Sequence, residues 1–237
     1  MERGILDDMS NDSGGDLPKT VSHYDEGYYR AHYGFIVNDD LNFRLLSLFW
    51  REVLFVRKGL NPQAKVLDFG CGLGQVSAAL LDTTCFDFSP FVSAELRKQG
   101  RVVIDDRRDV PAAAFDYLLS SHSLEHSPTP YLDLQEFRRF LRPGGRLVLV
   151  LPIEVETSPA LTPDWNQHLQ AWTFQTITNL LVLTGWQPIH QSVVYSPFLL
   201  RTLGRHISAK RAVQAAYLLG RLKRAYPSML TIAEVSS

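Results

Sequence analysis

The stretch that most limits how this chain can fold is VLDFGCGLGQ, residues 66–75. An apolar run ends at Asp68, and Gly70, Gly72 and Gly74 follow at every second position before a helical pattern. Glycines so placed let a backbone leave a buried strand, pass close to a ligand and turn sharply. Three ligand classes use such a turn. A mononucleotide P-loop needs Gly-Lys-Ser/Thr at the helix start, and Gly74-Gln75-Val76 lacks it. A dinucleotide fingerprint needs a small residue at position 75, where Gln75 stands, to pack the helix closely under a pyrophosphate. What remains is acid-x-Gly-x-Gly-x-Gly, which serves a ligand with no phosphate at the turn.

Around this loop, strands and helices alternate. Short apolar strands are expected over residues 64–70, 84–89, 101–105, 115–121, 144–152, 188–196 and 228–235. Helical patterns fall at 74–81, 90–100, 131–141 and 173–186, and a basic helical stretch runs from Pro197 to about Arg224. The alternation predicts an α/β fold, a doubly wound seven-stranded sheet, mainly parallel, that ends in an antiparallel strand. Upstream, Leu41, Leu45, Leu48, Phe49 and Val53 recur at helical spacing, and Gly59 closes that helix. Residues 1–20 are polar and rich in Gly, Ser and Asp, the composition of a disordered tail.

These motifs, in this order over residues 60–195, resemble the class I S-adenosylmethionine-dependent methyltransferases, in particular the small-molecule enzymes of that family. VLDFGCGLG resembles the family's first motif, CFDFSP the end of its second strand, and IDDRRDVP its third-strand motif. FDYLLSSHSLEHSP and FRRFLRPGGRLVLVLP resemble the fourth strand with its loop, and the helix and fifth strand that follow. The resemblance implies a Rossmann-like methyltransferase fold and S-adenosyl-L-methionine as cofactor. It implies that Gly70, Gly72 and Gly74 pass beside the methionine part and that Asp68 lies near its amino group. Asp87 then accepts from both ribose hydroxyls, with Phe88 beside it. Asp106 meets the adenine amino group, with Asp105 as the alternative, and Ser120 and Ser121 border the cofactor. One departure is visible: the segment between Gly74 and Asp87 is about one helical turn shorter than in the family. The implied domain plan is a tail over 1–20, a helical cap over 21–62, and a methyltransferase domain over 63–237 with a helical insertion at about 197–226.

HSLEH, residues 122–126, also matches a zinc-peptidase spacing. A peptidase would need both histidines on one helix, and here they follow a strand directly, with Pro128 and Pro130 just after. A third ligand would have to be found at Glu154 or Glu156. No metal is therefore expected, and a zinc hydrolase using His122 and His126 is the remote alternative. In the methyltransferase reading His122 lies past the carboxyl end of the fourth strand, where ligands bind in open α/β sheets. It is a candidate base for the acceptor, as is His168, between Trp165 and Trp172. By the same resemblance, Tyr24, Tyr28, Tyr29 and Tyr33 fold over the cofactor; a plain packing role is the alternative. The loop Ser120-Ser121-His122-Ser123 lacks the Asp/Asn-Pro-Pro-aromatic pattern of enzymes that methylate nucleic-acid or protein nitrogen.

A net charge of −1 gives no overall attraction to nucleic acid. Charge is unevenly spread: residues 1–40 hold nine acids and three bases, and 201–230 hold seven bases and no acid. The basic stretch suits an anionic or carrier-bound acceptor, or is a solvated helix face. Two cysteines imply no disulfide framework, no run approaches a membrane span, and a cytoplasmic location is expected. The reading is methyl transfer to oxygen or carbon of a small or medium organic molecule. A catalytically silent cofactor-binding scaffold is the other reading, and nothing in the sequence fixes the oligomeric state.

Overall fold

The computed structural model describes residues 24–37, 39–154, 161 and 166–236. The expected tail, Glu156 and Trp165 lie outside the described residues.

Among the described residues seven strands build one sheet: β1 (Lys65–Phe69), β2 (Asp82–Phe86), β3 (Val102–Ile104), β4 (Phe115–Ser121), β5 (Leu141–Pro152), β6 (Trp186–Tyr195) and β7 (Pro227–Val235). Their order is β3-β2-β1-β4-β5-β7-β6. Only β7 runs antiparallel to its neighbours, β5 and β6; the other neighbours are parallel. The chain starts in the middle at β1, winds outward to β3, and returns to start again at β4. The order therefore reverses between β1 and β4, and a crevice opens there beyond the strands' carboxyl ends.

Alternation along β5 explains why the sheet is covered on both faces. Leu147, Leu149 and Leu151 enter one core with Phe137, Phe140, Ile177 and Leu181. Val148 and Val150 enter the opposite core with Leu45, Phe49, Ala212 and Ala216. Each such fully buried side chain contributes about 1.5–3 kcal/mol relative to exposure.

The helices are α1 (Glu26–Val37), α2 (Asp40–Trp50), α3 (Pro90–Lys98), α4 (Pro130–Phe140), α5 (Phe174–Leu183), α6 (Leu200–His206) and α7 (Ala209–Lys223). Their ends follow local chemistry. Asp39 caps α2 by accepting from Asn42 N, and Thr173 and Thr176 form a capping box at α5. α2 runs on through a π turn (Arg51–Phe55) and a 3₁₀ turn (Val56–Lys58) until Gly59, at φ +69°, ends it.

Two expectations change. Residues 74–81 form successive turns rather than a helix, with Ala78 N to Gly74 O (2.9 Å) and Leu80 N to Ser77 O (2.9 Å). β2 already claims Asp82 and Thr83, so too few residues remain to propagate a helix past its costly first turn. The basic stretch is two helices, broken at Ile207–Ser208. α7 buries Ala212, Val213, Ala216 and Gly220, while Lys210, Arg211, Arg221, Lys223 and Arg224 are exposed. At the other end of the charge asymmetry, Arg201 pairs with Asp39 at 2.5 Å.

Candidate active site

At the switch point lies a cavity of about 640 Å³, within the usual range for small-molecule sites. One wall is the loop after β1. Gly70 has φ +71°, and a Cβ there would stand 1.9 Å from Ser123 Oγ in the loop after β4. Only glycine satisfies both the left-handed backbone and this approach. Gly72 has φ +50°, with open space where a Cβ would be. Gly70 N and Cys71 N both donate to Phe86 O, at 2.8 and 3.1 Å, tying the loop to the end of β2.

Two acids face this loop. Asp68 is 1% exposed, and its Oδ2 has no hydrogen-bond partner among the described residues. Burial pushes its pKa up to about 6. Asp87 accepts from Gly72 N and Ser89 N, each at 2.9 Å. Burial raises its pKa and the two backbone donors oppose the rise. Those bonds leave lone pairs for a diol. Phe88, 42% exposed, stands edge-on to Phe86 at 5.0 Å and gives the cavity an apolar plate.

The remaining expected cofactor acids point elsewhere. Asp106 caps the 3₁₀ turn Arg107–Asp109, accepts from Arg108 N at 2.8 Å, and pairs with the Arg108 guanidinium. That hydrogen bonding pulls its pKa down to about 2. It is not among the cavity's lining residues, and Asp105 pairs with Arg97. Arg107 does line the cavity, held by Asp133 and Glu136.

The β4 end supplies Ser120, buried with an Oγ that has no hydrogen-bond partner among the described residues, then Ser121 and His122. His122 adopts φ +51°, and its Nε2 is 3.1 Å from Ser228 Oγ. Although 46% of its side chain is open to the cavity, the surrounding walls and then His168 hold its pKa below the usual imidazole value. The next residues do not form a peptidase helix: Leu124–His126 is one 3₁₀ turn, so His122 and His126 do not share a helical face. Glu125 is fully buried, and burial pushes its pKa up to about 8.

His168 is not a lining residue. Its Nδ1 is 2.5 Å from Glu154 Oε1, and its ring is 4.8 Å from that of His126. Trp172 packs in the core rather than the cavity. Tyr24, Tyr28, Tyr29 and Tyr33 line the cavity and pack with Cys71, Cys85 and Leu96, together with Trp50 and Tyr226 at the cavity, which no sequence signal had marked. Trp50 comes at the end of α2 and Tyr226 just before β7, so only the tertiary fold places them at the cavity.

The sheet order, the glycine loop and the two acids at its edge define a class I S-adenosylmethionine-dependent methyltransferase. A sequence model of the methyltransferase-domain family matches residues 41–191, and the chain belongs to that family. It is 30% identical over 206 residues to a demethylmenaquinone methyltransferase of Beutenbergia cavernae, covering 83% of this chain and 75% of that protein. It is 31% identical over 124 residues to a malonyl-[acyl-carrier protein] O-methyltransferase of Enterobacter lignolyticus, covering 48% of this chain and 49% of that one. In structure it is similar to the Burkholderia thailandensis 1,6-didemethyltoxoflavin-N1-methyltransferase with bound S-adenosylhomocysteine. That TM-score is 0.58, at 18% identity, over 96% of this chain and 94% of the other. The fold is also that of the [4+2]-cyclase SpnF, with TM-score 0.54 and 21% identity over 82% and 81% of the chains. The protein is thus a methyltransferase enzyme whose cofactor is S-adenosyl-L-methionine. No helix among the described residues is long and apolar enough to cross a membrane.

Proposed function

We propose that this enzyme methylates oxygen or carbon of a small or medium ring-bearing acceptor by in-line transfer. The observation that carries the proposal is one continuous cavity. It takes in the buried acids Asp68 and Asp87 together with Tyr33, Leu46, Trp50 and Tyr226.

The residues present fit the cofactor. The unpartnered Asp68 Oδ2 suits its ammonium group, Asp87 the ribose diol, and Phe88 the edge of the base. Gly70 and Gly72 keep side chains out of its path, and Ser120 and Ser121 also line the cavity; Gly74 does not line it, and a Cβ there would meet Leu96 instead. Bound there, S-adenosylmethionine supplies a methyl group already activated by its sulfonium. The protein's own task is to align the acceptor and keep water out, so positioning supplies much of the rate. Tyr28 and Tyr29, each under a tenth exposed, close one side of the cavity.

An acceptor hydroxyl or acidic carbon must also lose a proton. His122 opens on the cavity and is held neutral, so it is the base we assign; His168 has its Nδ1 taken by Glu154. Apolar, ring-lined walls suit a quinone-type acceptor, as in the name of the demethylmenaquinone methyltransferases, better than a carrier-bound malonyl group.

Titration calorimetry with S-adenosylmethionine, followed by labelled-methyl transfer to a panel of hydroquinones and phenols, tests it. Binding with transfer to a ring acceptor supports the proposal. Binding without transfer to any acceptor favours the silent scaffold, and absence of binding refutes both.

A further inference from the structure

We propose that Glu125, His126 and His168 bind one divalent transition-metal ion of the zinc type in the wall of the cavity. One ligand atom from each lies within 4.8 Å of the other two. Two chain segments meet there and are stitched together. Leu169 N and Gln170 N donate to Glu125 O, at 2.9 and 3.1 Å. His168 is thereby delivered to the 3₁₀ turn that carries Glu125 and His126.

The hydrogen bonds set both rings in the form a metal takes. Tyr24 has one hydroxyl proton, and it goes to Asn166 O at 2.8 Å, because a carbonyl only accepts. The same hydroxyl oxygen is 2.8 Å from His126 Nδ1, so that nitrogen carries its hydrogen and donates. His168 Nδ1 stands 2.5 Å from a Glu154 oxygen and donates likewise. A neutral ring protonated at Nδ1 has its lone pair on Nε2. Histidines that hold metals characteristically give their other N–H to such an outer acceptor.

Glu125 is the independent observation. It is fully buried, and neither carboxylate oxygen has a hydrogen-bond partner among the described residues. His122 Nδ1, 3.6 Å from Oε1, is beyond hydrogen-bond distance. Burying a carboxyl group whose oxygens have no hydrogen-bond partner is costly, and a cation between the three ligands gives them one. Two imidazoles and one carboxylate suit zinc and its neighbours rather than calcium or magnesium, which prefer oxygen throughout. A tetrahedral ion with ~2.1 Å bonds holds its ligand atoms about 3.4 Å apart. The widest pair must therefore close by about 1.4 Å from 4.8 Å, within reach of small side-chain rotations. Three protein ligands leave one position open. His126 lines the cavity, so an acceptor oxygen can take that position; this last step, unlike metal binding itself, rests on the function proposed above.

The test uses the full-length protein after stripping with a chelator. Zinc chloride is titrated in by calorimetry and cobalt chloride by visible absorption. One equivalent of zinc and the d–d bands of a four- or five-coordinate cobalt ion are expected. Removing a ligand in His168→Ala should weaken zinc binding roughly 100-fold or more, and Glu154→Ala, which loses only the outer acceptor, about 10- to 100-fold. Both variants should still bind S-adenosylmethionine. The site is overturned if stripped wild-type protein, folded and able to bind S-adenosylmethionine, takes up neither ion. It is equally overturned if both variants bind zinc as the wild type does. Metal uptake without S-adenosylmethionine binding would support the site and count against the proposed function instead.

Discussion

Gly70 and Ser123 bring two loops of the active site into contact: a Cβ on Gly70 would stand 1.9 Å from Ser123 Oγ. The loop after β1 and the loop after β4 are therefore packed against each other, and the cavity wall depends on the absence of one methyl group. Gly70→Ala meets both this collision and a φ of +71°. Its expected cost is about 1–3 kcal/mol of stability, with loss of measurable cofactor affinity. Adding Ser123→Gly removes the collision and leaves the backbone strain. Thermal melts should then show partial recovery; a double variant no better than Gly70→Ala would show that the contact does not matter.

Asp68 predicts a pH dependence. Burial raises its pKa from 3.8 to about 6. A carboxylic acid raised in the folded state is favoured when protonated. Its contribution to stability is fully present below the unfolded value and is lost as pH rises through 6. At neutral pH the penalty without ligand is roughly 3 kcal/mol, and Asp68→Asn should remove much of it. In the pairing proposed above the cofactor would reverse the preference, because its ammonium group would need the ionised acid. S-adenosylmethionine affinity should thus fall as pH drops from 7 to 5, and the pH profile should flatten in Asp68→Asn. A wild-type affinity independent of pH across that window would refute the pairing.

Asp87 holds Gly72 N and Ser89 N and is proposed to hold the ribose as well. Asp87→Ala should weaken S-adenosylmethionine binding by about 1–3 kcal/mol, the worth of a charged hydrogen bond. Asp87→Asn can still accept but bears no charge, and should fall between. Adenosine should lose affinity in parallel and methionine should not, so competition by the two separates a ribose role from a general loosening of the loop.

Much of this arrangement is legible in the residues. Strand alternation gives the sheet, and Gln75-Val76 after Gly74 argues against phosphate loops. What the sequence hides is which group each side chain faces. Asp106 lies in the expected motif, yet the following turn recruits it as a cap and Arg108 neutralises it. The helix expected over 74–81 has the right apolar pattern, but β2 starts two residues early and leaves it no length. His168 looks like a partner of the cavity until Glu154 is seen to engage it. Long-range pairings such as Tyr24 with His126, or Arg201 with Asp39, carry no local pattern at all.

His122 offers the sharpest test of chemistry as against binding. Its φ of +51° is unfavourable for most side chains, so His122→Ala mixes lost chemistry with backbone strain. Asparagine tolerates this backbone and cannot act as a base at neutral pH, which makes His122→Asn the cleaner variant. If His122 takes the acceptor's proton, kcat should fall about 10²- to 10⁴-fold. S-adenosylmethionine affinity should stay unchanged, because the cofactor contacts proposed above fall to Asp68 and Asp87 and not to His122. Acceptors already ionised at the assay pH should recover most of the lost rate, since they have no proton to give. A uniform loss across acidic and non-acidic acceptors would instead assign His122 to shaping the loop through Ser228 and the Val150 carbonyl.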